Sequence, residues 1–394
     1  METIPPIQFD DTSIAFSYKS DRELKKANFI FSLVNNPLVS KVATSLAKVG
    51  LALHLPIKGL IRATVFEHFC GGETIEESKK TIEKLGKFKV GTILDYSIEG
   101  EDDELSFDKT TQELLSTFEE AKKSTSVPFC VFKVTGVGAS DLLEKVQSKE
   151  ILTSEEAAAF ERICARVDCI CKKAFEAQIP VLVDAEDSWI QKPIDELAYE
   201  MMHKYNSQKA IVFNTFQMYR KDMLGNLRNA FHEAAMHNYY LGVKMVRGAY
   251  MEKEAERAAK LGYENPIHPS KQASDDSFNK GLAFCIDNKQ RISVMCGSHN
   301  EYSNQYLTVL MNKHGMTNND NRVWFAQLLG MSDNISFNLA KAGYNVAKYV
   351  PYGPVESVMP YLLRRASENT SVAGQSSREL ILIRKELKRR KSIL

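Results

Sequence analysis

What the chain lacks narrows it first. It has no CxxC pair: its seven cysteines (Cys70, Cys130, Cys164, Cys169, Cys171, Cys285 and Cys296) are scattered and odd in number. That argues against a disulfide framework or a zinc ribbon, fits a reducing compartment, and leads us to expect no metal site. It lacks an excess of charge of one sign, since 51 Lys+Arg against 50 Asp+Glu leave a net +1, so no global field draws nucleic acid. It lacks a long apolar run: the best candidate, Leu46 to Phe66, is broken by Lys48, His54, Pro56, Lys58 and Arg62 and is too interrupted to span a bilayer. It lacks a GxGxxG after any apolar strand, which argues against a Rossmann dinucleotide site. The opening METIPPIQFDDTS is polar and acidic, unlike a secretory signal or an Arg-rich transit peptide. There is no internal repeat and no low-complexity linker.

What is present is 394 residues with 44% hydrophobic and 26% charged side chains, the balance of a globular protein. After a helical N-terminal section, short apolar runs alternate with amphipathic stretches. The runs are Val90–Tyr96, Pro128–Gly136, Ile179–Glu186, Ala210–Phe216, Gly242–Gly248, Arg291–Gly297, Val323–Leu329 and Asn345–Pro351; the stretches include Ser154–Ala177, Met218–Tyr239 and Ser274–Asn288. Continuously apolar strands are buried on both faces, and strand–helix alternation implies a parallel sheet. Eight such units predict an α/β fold, a (βα)8 barrel with an N-terminal helical arm over 1–88, a barrel over 89–373 and a basic C-terminal helix over 374–394. Polar residues interrupt these strands toward their carboxyl ends: Lys133, Asp184, Glu186, Asn214, Lys244, Arg247, Ser298, His299 and Tyr349. In a barrel those ends share one rim, where active sites are found.

The most informative stretch is YLLRRASEN, Tyr361 to Asn369. On a helix, Tyr361, Arg364, Arg365 and Glu368 project from one stripe, while Met359, Leu362, Leu363 and Ala366 cover another side. Two adjacent guanidiniums suit an anion between them, and a carboxylate can be gripped by paired hydrogen bonds. Taken alone, a solvated charged face is the commoner explanation of such a stripe. The last helix, approximately Arg378 to Lys391, ends in Arg384, Lys385, Lys388, Arg389, Arg390 and Lys391; a solvated tail and a helix resting on an anionic membrane both fit it.

VFKVTG, VLVDAED, IVFNTFQMY, LGVKMVRGAYMEKE, GYENPIH, CGSHN, FAQLLGM, AKYVPYG and PYLLRRASEN, in this order and over about Val127 to Ala373, resemble the proline dehydrogenase family. FCGGETIEE near Phe69 is similar too. VKMVRGAY looks more like the eukaryotic-type branch, and no aldehyde dehydrogenase domain follows, so the resemblance leads us to expect a monofunctional enzyme. It implies a distorted barrel that binds FAD, oxidises L-proline to Δ1-pyrroline-5-carboxylate and passes electrons to a membrane quinone, with the arginine-bearing helix over the barrel mouth. It also implies a peripheral membrane contact, in bacterial cytoplasm or the mitochondrial matrix.

Carried over position by position, the resemblance implies that Arg364 and Arg365 clamp the substrate carboxylate, with Glu368 orienting an arginine and Lys133 adding positive charge. Tyr250, Leu328, Tyr349 and Tyr361 would wall the ring. Asp184 would lie under the flavin and bond Lys133. Asn214 would stand at the flavin ring, and Lys244 where other members carry an arginine beside the reactive nitrogen. Lys133, Asp184 and Lys244 would therefore serve the chemistry directly. Val246, Arg247, Gly248, Ala249 and Tyr250 would line the isoalloxazine and ribityl chain, and Ser274, Ser298, His299 and Asn300 would reach the ribityl and pyrophosphate groups. Tyr349, where the hydroxyproline-oxidising branch carries a smaller residue, implies preference for proline over trans-4-hydroxy-L-proline. Rival readings are a hydroxyproline dehydrogenase, an aldolase-type barrel with Lys133 or Lys244 as a Schiff base, and a carboxylate-binding protein without catalysis.

Overall fold

The computed structural model describes residues 7–34, 58–98, 102–362 and 375–392. Eight parallel strands close into a barrel in chain order: β1 Val90–Tyr96, β2 Phe129–Phe132, β3 Val181–Val183, β4 Val212–Gln217, β5 Leu241–Val246, β6 Ile292–Gly297, β7 Val323–Leu328 and β8 Val346–Tyr352. The expected α/β barrel is therefore observed. By compactness the chain divides into two units, one holding Glu101–Ala326 and the other Ile7–Gly100 with Gln327–Leu394.

In the first unit, β2 to β6 and most of β7 alternate with helices. Helix Ser154–Ala177 matches its expected span because Thr153 and Glu156 form a reciprocal capping box at its start. The helix expected from Met218 begins only at Met223, since 218–221 bond elsewhere: the Met218, Tyr219 and Lys221 amides reach the carbonyls of Val246, Arg247 and Pro266. Conversely, the helix expected from Ser274 starts at Lys271, with the Ser270 hydroxyl accepting from the Ala273 amide. β2 and β3 are shorter than expected. Lys133 leaves the sheet before a 3-10 turn at Val134–Gly136, and Asp184 follows the last residue of β3.

Register shows which face each strand residue takes. Thr215, Lys244, Met295 and Trp324 lie in one row across β4 to β7, and Val183, Asn214 and Val243 in an adjacent row. Because side chains alternate along a strand, the two rows face opposite ways. On the Thr215–Lys244 face, toward the strands' amino ends, Phe129 stands edge-on to Phe213 at 5.5 Å and to Trp324 at 5.2 Å between ring centres.

In the second unit, β1 and β8 pair in register from Val90↔Val346 to Tyr96↔Tyr352. Helix Asp21–Val34 lies antiparallel to helix Gln375–Lys391, with Arg390 on Asp21 (2.7 Å) and Arg384 on Asn28 (3.3 Å). Leu24, Ala27, Ile30 and Phe31 meet Leu380, Leu382 and Ile383 in a core that also takes Phe66, Phe69 and Tyr361. Burial of this kind is worth about 1.5–3 kcal/mol per large side chain. The cations of the last helix are largely engaged within the chain. Lys385 donates to the Asp10 carbonyl, and Arg389 and Arg390 clasp Glu386. Among the described residues no helix is long and apolar enough to cross a membrane.

Candidate active site

The rim of the first unit is built around the end of β5. Lys244 points to the same side as Thr215, and its ammonium lies 2.5 Å from Asp184, with only 7% and 15% of the two side chains exposed. Asp184 is placed by the loop after β3. That loop is tied down because Glu254, wholly buried, accepts from the Ser188 amide (2.7 Å) and hydroxyl (2.6 Å), and Lys253 reaches Asp187 at 2.6 Å. A buried lysine needs such a partner, since an uncompensated charge there costs several kcal/mol.

Lys133, at the end of β2, is half-buried. Its charge acts on Glu186, whose carboxylate accepts from the Thr135 amide at 3.0 Å and from the Thr135 hydroxyl. Burial pushes the Glu186 carboxyl above its ordinary range; the Thr135 bonds and Lys133 oppose that shift.

Three residues past Lys244, Arg247 is held on every side of its guanidinium. Nε donates to Asp275 (2.6 Å), Nη1 to Ser298 (2.9 Å) and Nη2 to Ser303 (2.9 Å), and the plane lies 4.4 Å from the Phe278 ring centre. Burial would raise the Asp275 carboxyl, but Lys271 and Arg247 outweigh it and hold it below its usual range. Gly248 follows with φ +140°, and a Cβ there would fall 2.4 Å from the Tyr219 ring. Only glycine fits this backbone. Ala249 is exposed and Tyr250, half-buried, precedes helix Met251–Leu261.

Two expected residues are committed elsewhere. Asn214 does not join the Lys244 cluster: its amide donates to Asp195 (2.8 Å) on helix Gln191–Tyr205 and its oxygen accepts from the Thr215 amide. Thr215, not Asn214, is the β4 residue in the Lys244 row. Burial pushes Asp195 up to about 6, against the bonds from Asn214 and Gln191. Asn300 caps helix Glu301–Lys313 by accepting from the Ser303 amide, and its own amide reaches the Ser298 hydroxyl at 3.2 Å. Ser274 is buried, with its hydroxyl on the Ser270 carbonyl at 3.3 Å; His299 is half-buried beside Ser298, and Val246 is half-buried at the end of β5.

Sequence reasoning missed Thr135, Gln217, Asp275, Phe278 and Ser303. Of these, Asp275 carries a signal, as the acid four residues after Lys271 on one helix face, bonded to it at 2.6 Å. Gln217 stands two residues past Thr215 and so on the same face. Its amide donates to the Glu186 carbonyl, and its buried side-chain oxygen has no partner.

In the second unit, Leu328 ends β7, Tyr349 is buried in β8 and Tyr361 is buried in the helical core. Arg364, Arg365 and Glu368 lie outside the described residues. Among the described residues no group of His, Cys, Asp and Glu is placed to hold a metal ion.

A family model described as "Proline dehydrogenase" matches residues 78–378. "Proline dehydrogenase 1, mitochondrial" of Dictyostelium discoideum is 34% identical over 96% of this chain and 74% of its own length. The Homo sapiens protein of the same name is 42% identical over 60% of this chain and 40% of its own. A crystal structure of proline utilization A (PutA) from Bdellovibrio bacteriovorus, inactivated by N-propargylglycine, superposes with TM-score 0.73 at 19% identity, over 91% of this chain and 38% of that one. The chain thus spans about two fifths of the human relative and of the superposed structure.

Proposed function

The chain belongs to the proline dehydrogenase family, and from that premise we propose that it oxidises L-proline to Δ1-pyrroline-5-carboxylate, using FAD and passing electrons to a membrane quinone. The observation that carries the reading is the buried Lys244–Asp184 pair beside the fixed Arg247. Two positive groups and a partnerless buried acceptor, Gln217 Oε1, on one rim suit a ligand that is anionic along part of its length and carries N–H donors. FAD fits that description, and the Cβ-free backbone of Gly248 gives it a close approach. FAD, when bound, supplies the hydride acceptor.

The chain's own residues supply orientation and charge. Lys244 would stabilise negative charge on the reduced cofactor, held in place by Asp184. Lys244, Val246, Arg247, Gly248, Ala249 and Tyr250 would hold the cofactor's ring and ribityl chain, and Ser274, Ser298, His299 and Asn300 the remainder. Lys133, Arg364 and Arg365 would bind the substrate carboxylate, with Glu368 orienting an arginine. Tyr250, Leu328, Tyr349 and Tyr361 would wall the pyrrolidine ring, and Tyr349 would crowd a ring hydroxyl. Held geometry of this kind supplies several kcal/mol of barrier lowering, of order 7–11 at best. The substrate amine reacts as the neutral base, because its lone pair must drive the loss of hydride, and no dedicated base is needed.

For the acceptor side, we place the protein peripherally at a membrane, in the mitochondrial matrix, as the names of its relatives suggest. Helices Asp21–Val34 and Gln375–Lys391 support this. They expose Phe29, Leu33 and Ile381 among Arg22, Lys25, Lys388 and Lys391, an apolar and cationic face suited to anionic lipid. Flotation with anionic liposomes should retain the full chain and lose one truncated before Arg378.

The deciding experiment is the visible spectrum of the purified protein before and after anaerobic proline. A flavin spectrum that bleaches on proline supports the reading; a colourless protein, or a flavin that proline leaves oxidised, refutes it.

A further inference from the structure

Lys348 is the third residue of β8 and is 0% exposed. An ammonium group in that position has lost all its water, and the chain replaces it with a specific set of oxygens. Asp333 Oδ1 lies 3.0 Å away, and the carbonyls of Met331 and Leu328 both accept, the latter at 3.3 Å. The three oxygens run from the last residue of β7, through the turn, to the first residue of helix Asp333–Lys341.

That turn cannot hold its shape by local preference. Ser332 has φ +50°, and Gly330 has φ +77° with a Cβ position only 2.5 Å from the His68 carbonyl. It is fastened from outside instead. Asp333 also takes the Lys19 ammonium (3.0 Å) and the Tyr18 hydroxyl (2.7 Å), and the Ser332 amide donates to Glu379 of the last helix. A buried ion pair is a poor way to gain stability, because apolar residues of the same volume do as well or better. What it does provide is a fixed position.

Two side chains inherit that position. Leu328 carries one of the carbonyls on Lys348, and Tyr349 follows Lys348 and projects from the opposite face of β8. The Leu329 amide donates to the Tyr349 carbonyl at 2.8 Å, so strand and turn are joined on both sides. We propose that Lys348 is a positioning residue for substrate binding: its pair with Asp333 sets the spacing of Leu328 and Tyr349, the walls of the pyrrolidine ring. This rests on the proline dehydrogenase reading above.

The test uses the full-length, flavin-loaded enzyme, Lys348→Met (similar length, no charge) and the double variant Lys348→Met with Asp333→Asn. Misplacement of a binding wall by about 1 Å costs up to 10²-fold. In both variants the KM for proline should therefore rise about tenfold or more, kcat should stay within about threefold, and discrimination against trans-4-hydroxy-L-proline should fall. The double variant removes the Lys348–Asp333 pair but also takes the carboxylate from Lys19, so it should keep the raised KM whatever its Tm. A KM that stays within twofold of wild type in both variants, or that returns to normal in the double variant, overturns the inference. Wild-type flavin that proline fails to bleach refutes the functional reading and this inference with it; wild-type bleaching with unchanged KM in both variants refutes the inference alone.

Discussion

Replacing Glu379 by Gln should stabilise the protein in alkali and leave it nearly unchanged in acid. Glu379 is 5% exposed, faces Asp333, Lys348 and Lys19, and accepts from the Ser332 amide. Burial is the main cause that lifts its carboxyl from 4.5 to about 7, with the Asp333 charge adding to it and the two lysines and the Ser332 bond opposing. Asp333 itself is held well below the carboxylate range, because Lys19 and Lys348 outweigh its burial. Between pH 4.5 and 7 the folded protein keeps a proton on Glu379 that the unfolded chain releases, so stability falls as pH rises. Above 7 the full cost remains, of order 3 kcal/mol at ~1.4 kcal/mol per pH unit. In the Glu379→Gln variant the side-chain amide oxygen can accept the same bond, and the group does not titrate. Thermal and urea denaturation at pH 8.5 should show the variant more stable by up to about 3 kcal/mol, and at pH 5 the two proteins within about 1. Parallel pH dependences in the two proteins would refute the buried-carboxyl argument.

Gly248→Ala should lower stability by about 2 kcal/mol or more through the forbidden φ and the contact with Tyr219, and flavin content after purification should fall with it. Asp184→Asn removes the carboxylate paired with the buried Lys244; it should cost about 3 kcal/mol and slow flavin reduction by proline at least tenfold in stopped flow. Asp275→Asn removes the charge that holds Arg247 and should weaken FAD binding to the apoprotein about tenfold, read by flavin fluorescence quenching. Arg364→Met should raise the KM for proline severely while leaving bound FAD intact, and unchanged steady-state kinetics would remove the clamp.

The eight strands were legible because each run is apolar and bounded by turns, and β1 matches its expected span residue for residue. β2 and β3 end earlier than expected because Lys133, Asp184 and Glu186 sit on loops whose apolar neighbours continue the strand pattern. The face of Asn214 was not legible for a definite reason. All six residues of β4 are buried, so VFNTFQ carries no alternation, and a one-residue error in face leaves no trace in the sequence. Nor could the hold on Arg247 be read, since Asp275, Phe278, Ser298 and Ser303 come from later elements and meet it only on folding. The spacing of Lys244 and Arg247 within one motif did survive into the structure as two adjacent, separately anchored cations.

Phe129, edge-on to both Phe213 and Trp324, fills the space at the amino ends of these strands with aromatic rings. Under the function proposed above, proline and its oxidant would then both approach from the carboxyl ends and take turns there, and initial-rate plots at several fixed acceptor concentrations would be parallel lines.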